Sequence, residues 1–205
     1  MARVADRHHG TGRLPRAALA VAAAALVHFA APPPAAAQST AMAVEYYHAG
    51  FNHYFVTAFP GEIANLDGGA FGGVWARTGY AFPVWTAAQP ATAEACRFFS
   101  ATFAPKSSHF YTPVASECAS LRQGGVWTYE GIAFHLRLTD LSGNCPAGTS
   151  VLYRLYNRGA GNAPNHRFTT SRAVFEQMRA AGWDAEGNGP LLAFACVPPA
   201  GIATD

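Results

Sequence analysis

Three histidines at nearly equal spacing are the first residues in this sequence that could do chemistry. His53, His109 and His166 lie 56 and 57 residues apart. Three imidazoles brought together by the fold can bind a zinc-like ion and leave one coordination position open. A histidine that follows a hairpin loop more often bonds a backbone carbonyl of its own segment. We therefore expect no metal and no other cofactor, with these three histidines as the candidate ligands if a metal is present.

A tryptophan lies downstream of each histidine, and this second set is the better candidate for a binding site. Trp75, Trp127 and Trp183 could stack against the apolar faces of sugar rings, as in concave sites that combine aromatic walls with a few polar groups. The neighbouring polar residues that could orient such a ligand are Arg77, Glu130 and Glu186.

The alternative is that each tryptophan is a core residue. Large aromatic side chains at a recurring position usually pack against their own segment. In that case loop aromatics such as Phe51, Phe71 or Phe103 are expected to be better exposed.

The motifs of common enzyme classes are missing from the sequence. It contains no G-x-S-x-G, no H-E-x-x-H, no P-loop and no G-x-G-x-x-G that opens a helix. We therefore expect no catalytic residue. A small secreted hydrolase stays open as an alternative, because distant residues can assemble a site in space.

The histidines and tryptophans belong to a pattern that occurs three times. Each copy predicts a hairpin of two aromatic-rich strands, a helix that begins at a threonine and stops at glycines, and one or two further strands. The threonines expected to cap the helices are Thr57, Thr112 and Thr170. The repeats cover about residues 44–86, 95–139 and 150–198.

Repeats of this length predict the fold class. A unit of about 55 residues cannot bury its own apolar face and must pack against its neighbours. We expect an α+β fold of three ββαβ(β) repeats around a pseudo-threefold axis, forming a single domain over residues 38–205. A β-trefoil-like fold is the alternative, although a helix inside each repeat argues against it.

The repeated motifs also carry a family resemblance. His109-Phe110-Tyr111-Thr112 with Trp127-x-x-Glu130-Gly131-x-Ala133-Phe134, and Cys145-Pro146-Ala147-Gly148-Thr149 leading to Asn165-His166-Arg167-Phe168, resemble a secreted bacterial repeat domain of unknown function. That domain is often appended to exported proteins. The resemblance implies location and modularity, and it brings no catalytic residue. The sequence departs from the pattern at Thr78, where the other copies have glutamate, and at residues 188–192, which are inserted.

The first 37 residues have the pattern of a signal peptide. Four arginines precede the apolar run 17–31, and Ala35-Ala36-Ala37 offers a cleavage site before Gln38. The run is too short for a membrane span, which needs about 20 apolar residues. We therefore expect a secreted or periplasmic protein with no membrane span.

Charge excludes one class of partner. Without the predicted signal peptide, the 14 basic and 12 acidic residues of the chain fall to 10 and 11, a net charge of −1. A nucleic-acid-binding domain usually presents a basic surface. We therefore expect no nucleic-acid partner.

The four cysteines all follow residue 37, which favours disulfides over metal binding in an exported protein. Four cysteines allow three pairings. The repeat favours Cys96 with Cys118 and Cys145 with Cys196, because each pair then links elements of a single unit.

These features together predict a secreted, non-catalytic binding or adhesion module. Aromatic richness and low net charge favour a neutral glycan or another cell-surface polymer as the partner. A structural module for protein–protein interaction is the further alternative.

The signal-peptide and disulfide predictions can be checked together. Intact-mass and N-terminal analysis of the exported protein should give a chain that starts near Gln38 and has no free thiol. A thiol reagent that labels Cys118 or Cys196 without prior reduction would contradict the prediction.

Overall fold

The structure is a computed structural model, and it describes Met1 and residues 39–199. The predicted signal peptide therefore lies outside the described residues apart from Met1. The elements are β1 (Thr40–His48), β2 (His53–Thr57), α1 (Pro60–Asp67), β3 (Trp75–Trp85), β4 (Ala93–Ser100), β5 (Ser108–Thr112), α2 (Ala115–Gln123), β6 (Thr128–Leu136), β7 (Ser150–Tyr156), β8 (His166–Thr169), α3 (Arg172–Ala180), β9 (Asp184–Ala185) and β10 (Ala195–Val197).

The described strands form two antiparallel sheets. One sheet has the order β2-β1-β3-β6-β4-β5, and the other has β7 between β10 and β8, with β9 also paired to β7. The order strand, strand, helix, strand occurs over residues 40–85, 93–136 and 150–197, and we refer to these segments as the first, second and third units. The fold is thus a small α+β domain of two sheets and three helices.

The third unit differs in its last strand. β9 pairs with residues 155–156 of β7, whereas β10 pairs with residues 150–152. The segment between β9 and β10 contains the residues predicted as an insertion, and it closes on itself through the bridge between Asn188 and Ala193.

The opening strand of each unit is buried on both faces, and the strand pleat gives the two faces different partners. In β4, Cys96 and Phe98 pack against α2 of the same unit, whereas Arg97 reaches Glu62 on α1 of the first unit. β7 repeats this arrangement, because Tyr153 and Leu155 pack with α3 while the intervening arginine faces the second unit. One face of each strand therefore builds its unit, and the other joins two units.

The helices begin later than the sequence predicted. The N-cap residues are Phe59, Val114 and Ser171, two residues beyond Thr57, Thr112 and Thr169. Each of these threonine hydroxyls accepts a hydrogen bond from the backbone N–H of the N-cap residue. The predicted cap positions, including Thr170, were therefore wrong, because the threonines shape the turn before each helix.

Both predicted disulfide pairings are confirmed. Cys96 in β4 is bonded to Cys118 in α2, and Cys145 is bonded to Cys196 in β10. The first bond ties a helix to its own hairpin, and the second ties the loop that precedes the third unit to the last strand of that unit. No helix in the described part of the chain is long and apolar enough to cross a membrane.

The loop before β7 and the segment between β9 and β10 lie backbone against backbone. A Cβ atom on Gly189 would lie 1.8 Å from the Ser142 carbonyl oxygen, and φ at this glycine is +64°. Gly148 also has a positive φ, of +75°, but a Cβ there would meet no atom within 4 Å. Substitutions at the two glycines therefore distinguish the free-energy cost of a strained backbone, present at both, from that of a steric clash, present only at Gly189.

Replacing these glycines should destabilise the protein by different amounts. We expect Gly148→Ala to lower the free energy of unfolding by about 1 kcal/mol through backbone strain. Gly189→Ala should cost roughly 1–3 kcal/mol more, because the loops must also move apart. Urea unfolding with the disulfides intact measures both values, and equal losses would show that the loops are not in close contact.

Candidate functional site

The junction between the first two units is held by a buried arginine. Arg97 donates from Nη1 and Nη2 to the two carboxylate oxygens of Glu62, over 2.9 and 2.7 Å. Its Nε donates to Glu130 Oε2 over 2.7 Å, and His109 Nε2 lies 3.2 Å from the same oxygen. One guanidinium therefore joins a helix of the first unit to a strand of the second.

Local structure sets each member of this network. Glu62 lies in the first turn of α1, where the helix dipole favours a carboxylate, and it also accepts a hydrogen bond from Thr57. Glu130 and Arg97 lie on the adjacent strands β6 and β4. The ring centroids of Phe55 and Phe59 lie within 6 Å of the guanidinium carbon, at cation–π distance.

The network keeps both carboxylates ionised. Burial on its own would raise the pKa of Glu62, but hydrogen bonds from Arg97 and Thr57 outweigh it and lower that pKa. The pKa of Glu130 is also lowered, because hydrogen bonding to His109 and the charge of Arg97 outweigh its burial. Burial lowers the pKa of His109 itself. At neutral pH the group thus holds two negative charges, one positive charge and a neutral imidazole.

A cleft of about 440 Å³ opens above this network. Its polar floor includes all four residues of the network together with Asn165. Its aromatic wall consists of Tyr54, Phe55, Phe71, Trp75 and Phe99.

Phe71 stands out in this wall. Its side chain is 76 % exposed, and its backbone has a φ of +58° in the turn between α1 and β3. A bulky residue in the left-handed region is uncommon and costs about 1–3 kcal/mol. The turn therefore displays a large ring at the mouth of the cleft in spite of both a strained backbone and contact with water.

The second and third units meet in a similar way. Arg154 lies 3.2 Å from Glu117 on α2 and 2.8 Å from Glu186, and His166 Nε2 lies 3.1 Å from the same glutamate. Here too burial is the main cause that lowers the pKa of the histidine. A wider groove of about 850 Å³ runs along this junction, and its walls carry aliphatic residues instead of a row of aromatic rings.

In the contact between the third and first units, the acidic and basic residues are exchanged: the opening strand supplies the carboxylate and the other unit supplies the arginine. Glu45 takes the strand position that Arg97 and Arg154 occupy in the other units, and it accepts two hydrogen bonds from Arg167 on β8. Thr78, which stands where the other units have glutamate, donates to the same carboxylate. Thr78, which departs from the repeat pattern, thus lies at the junction where the opening strand carries a glutamate instead of an arginine.

The structure separates the predicted binding residues. Trp75 and Glu130 line the first cleft, and Glu186 lines the second groove. Trp127 and Trp183 are half-buried and pack in hydrophobic clusters of the second and third units. Arg77 forms an exposed ion pair with Asp67 and lines neither cavity.

Two of the three loop aromatics expected to be exposed are half-buried. Phe51 stacks on the His48 ring at 3.7 Å between centroids, and Phe103 packs near Trp127. Phe71 alone of these three has most of its surface in water. The predicted exposure of these loop aromatics is therefore confirmed for Phe71, at the mouth of the cleft, and wrong for Phe51 and Phe103.

The three candidate metal ligands are not structurally equivalent. In the hairpin registers, His109 and His166 share a position with Tyr54, whereas His53 shares its position with Ser108 and Asn165. His53 Nδ1 lies 2.8 Å from the Ser107 carbonyl oxygen, so this histidine bonds a backbone carbonyl as the alternative expected, but one of the second unit instead of its own. Among residues 39–199 no group of three His, Cys, Asp or Glu residues is arranged to hold a metal ion.

Sequence reasoning missed the arginines and the helix glutamates that pair with them. Arg97 and Arg154 each stand in a strand between buried apolar neighbours, Cys96 and Phe98 in the first case. A charge in such a position requires a partner. This was the signal available in the sequence, but it does not say which unit supplies the partner.

The chain belongs to a described protein family. The family "Domain of unknown function (DUF5648)" matches residues 43–191, which include all three units almost entirely. Comparisons with curated proteins and with solved structures gave no match.

Stability should depend on the histidines whose pKa is lowered by burial. Because burial lowers the pKa of His53, His109 and His166 in the folded state, their contribution is fully present above the unfolded-state pKa of about 6.5. It is lost as the pH falls from there through the folded-state pKa, because the unfolded chain then binds more protons. The free energy of unfolding should therefore decrease between pH 7.5 and 5.5.

A single substitution tests whether a buried histidine causes this decrease in the free energy of unfolding. His166→Gln should make the decrease shallower, since glutamine cannot bind the proton, whereas the exposed control Val126→Ala should keep the wild-type slope. Chemical denaturation at a series of pH values measures the slopes. An unchanged slope in His166→Gln would contradict the pKa assignment.

Proposed function

We propose that this member of a domain family of unknown function is a secreted, non-catalytic binding module that holds a neutral glycan in the cleft between its first two units. The observation that carries the proposal is an exposed aromatic ring at the mouth of a cleft whose floor is a fixed set of charged hydrogen-bonding groups. Sugar-binding sites need this combination of flat apolar faces and oriented polar groups.

The aromatic wall supports a sugar ligand. Phe71 is exposed on a strained turn and Trp75 is half-buried beside it, so a ligand that covers these rings removes apolar surface from water. The cleft volume of about 440 Å³ lies within the range of roughly 300–1,000 Å³ for small-ligand sites.

The floor supports a neutral ligand. Glu62 and Glu130 outnumber Arg97, so the floor carries a net negative charge and repels anionic sugars. Glu62 Oε1 and Glu130 Oε1 can each accept a further hydrogen bond from a hydroxyl group, whereas the two Oε2 atoms already have two partners each. The ion pairs also fix these acceptors before a ligand arrives, which reduces the entropy lost on binding.

The same ionisation argues against the hydrolase alternative. Hydrolysis of a glycosidic bond requires one carboxyl group with a raised pKa to protonate the leaving oxygen. The pKa values of Glu62 and Glu130 are both lowered. The pair therefore suits hydrogen bonding to a ligand better than proton donation.

Two structural proposals accompany the function. The three units are arranged around a pseudo-threefold axis, as supported by contacts where β2, β5 and β8 approach one another: Asn165 bonds the Tyr54 backbone and the Ser108 hydroxyl. The helix within each unit distinguishes this arrangement from a β-trefoil.

Secretion is the second accompanying proposal. The two disulfides among residues 39–199 fit an oxidising compartment, and residues 1–37 have the sequence pattern of a signal peptide.

Aromatic substitutions test the glycan proposal. A neutral oligosaccharide identified on a glycan array should bind with one site per chain, because only the first cleft has an aromatic wall among the cavities described above. Phe71→Ala and Trp75→Ala should each weaken this binding about tenfold, or ~1.4 kcal/mol. Isothermal titration calorimetry measures the stoichiometry and the affinity.

The control is Tyr80→Ala, which removes an exposed aromatic ring that does not line the cleft and should leave the affinity unchanged. A broad array of neutral glycans that gives no binding with folded, disulfide-bonded protein would refute the proposal and favour the interaction-module alternative.

A further inference from the structure

The groove between the second and third units differs in chemistry from the first cleft, although the same types of charged residue meet there. Its hydrogen bonds are looser. Arg154 donates to Glu117 over 3.2 and 3.4 Å, compared with 2.9 and 2.7 Å for the equivalent bonds of the first network.

The contact to the second carboxylate is also less complete. Arg154 Nε and Glu186 Oε2 form an ion pair over 2.8 Å in which the N–H is poorly aligned with the carboxylate oxygen, and His166 Nε2 lies 3.1 Å from the same oxygen. Arg154 as a whole is 7 % exposed. Glu186 therefore receives no well-aligned hydrogen bond from Arg154 Nε, whereas Glu130 receives one from Arg97 Nε.

The charge of the groove is unbalanced. Glu117 and Glu186 face the single guanidinium of Arg154, and Asp140 on the wall adds a further carboxylate. No lysine lines the groove. His166 lies next to Glu186, and burial lowers the pKa of this histidine, which favours its neutral form. The groove therefore attracts a positive group.

The rim of the groove is aliphatic and exposed. Leu141 is fully exposed, Leu138 is 46 % exposed, and Val114 stands at the other side on the turn before α2. Large aliphatic side chains grouped around a groove mark a surface that a partner covers. Flexible aliphatic side chains offer no flat ring for a sugar, so the occupant differs from that of the first cleft.

We propose that this groove binds an extended segment of a partner protein, with a lysine or arginine side chain directed at Glu117 and Glu186 and flanking aliphatic side chains packed on Leu138 and Leu141. The basic residue is inferred from the negative charge of the groove, and the aliphatic residues beside it are inferred from the exposed leucines on the rim. This site is independent of the glycan proposed for the first cleft.

The probe is a phage-displayed library of random twelve-residue peptides, selected on the full disulfide-bonded chain. Selected peptides should contain a basic residue next to leucine, isoleucine or valine. The synthetic peptides should bind at least tenfold more weakly to the double variant Glu117→Gln/Glu186→Gln and to Leu141→Ser. Fluorescence anisotropy with labelled peptide measures these affinities.

Two matched controls separate the groove from general surface effects. Glu176→Gln removes an exposed glutamate from α3, and Val126→Ser removes an exposed aliphatic side chain, and neither residue lines the groove. Both controls should bind the peptides as the wild type does. If the double variant fails to fold, Leu141→Ser still tests the site, because its side chain makes no buried contact that folding needs.

Three results would overturn the proposal. They are selection of no binding peptide, selection of peptides without a basic residue, and peptide affinity that does not respond to the groove variants. Self-association that Leu141→Ser abolishes, measured by sedimentation velocity, would identify a second copy of this chain as the occupant and would equally reject a partner segment.

Discussion

A buried guanidinium between two carboxylates is the constraint on which the first two junctions depend. Arg97 and Arg154 lie in buried strands, and neither charge can be accommodated unless a helix glutamate from the preceding unit and a second glutamate from the same unit, in or just after a strand, reach it. Removing one partner of a fully buried ion pair typically costs about 3–5 kcal/mol, and these pairs should cost less because the glutamate side chains are 31–35 % exposed. Packing between units is therefore coupled to correct folding within each unit.

Local patterns made part of this fold predictable. The hairpins, the helices and both disulfide pairings follow from strand alternation, glycine stops and the position of each cysteine within its repeat. The position of the histidines did not follow. Aligning the three repeats on His53, His109 and His166 places the first repeat out of register by one residue. A shift of one residue moves a side chain to the other face of a strand. Only the ladder pairings identify Tyr54 as the true counterpart.

The candidate sites were less predictable because they lie between units. Sequence spacing within one repeat contains no information about which helix face meets which strand of the next unit. Trp75, Trp127 and Trp183 are equivalent in sequence and all pack against hydrophobic clusters, yet among these three only Trp75 also lines one of the described cavities. The difference arises from neighbours, since the turn that carries Phe71 stands beside Trp75. Glu130 and Glu186 were found by their repeat position, whereas their arginine partners required the packed structure.

The reversed polarity at Glu45 and Arg167 bears on how a chain of three similar units avoids misassembly. If the first unit took the place of the second, Glu45 would face the helix glutamate of the neighbouring unit, Glu117 in a permuted chain or Glu62 of another molecule, and two carboxylates would meet without a guanidinium. If the second unit took the place of the first, Arg97 would face Arg167. Like charges in such positions oppose each other strongly in a water-poor junction. The order of the units is thus encoded in charge, which guards a repetitive chain against permuted closure and against exchange of units between neighbouring molecules during folding.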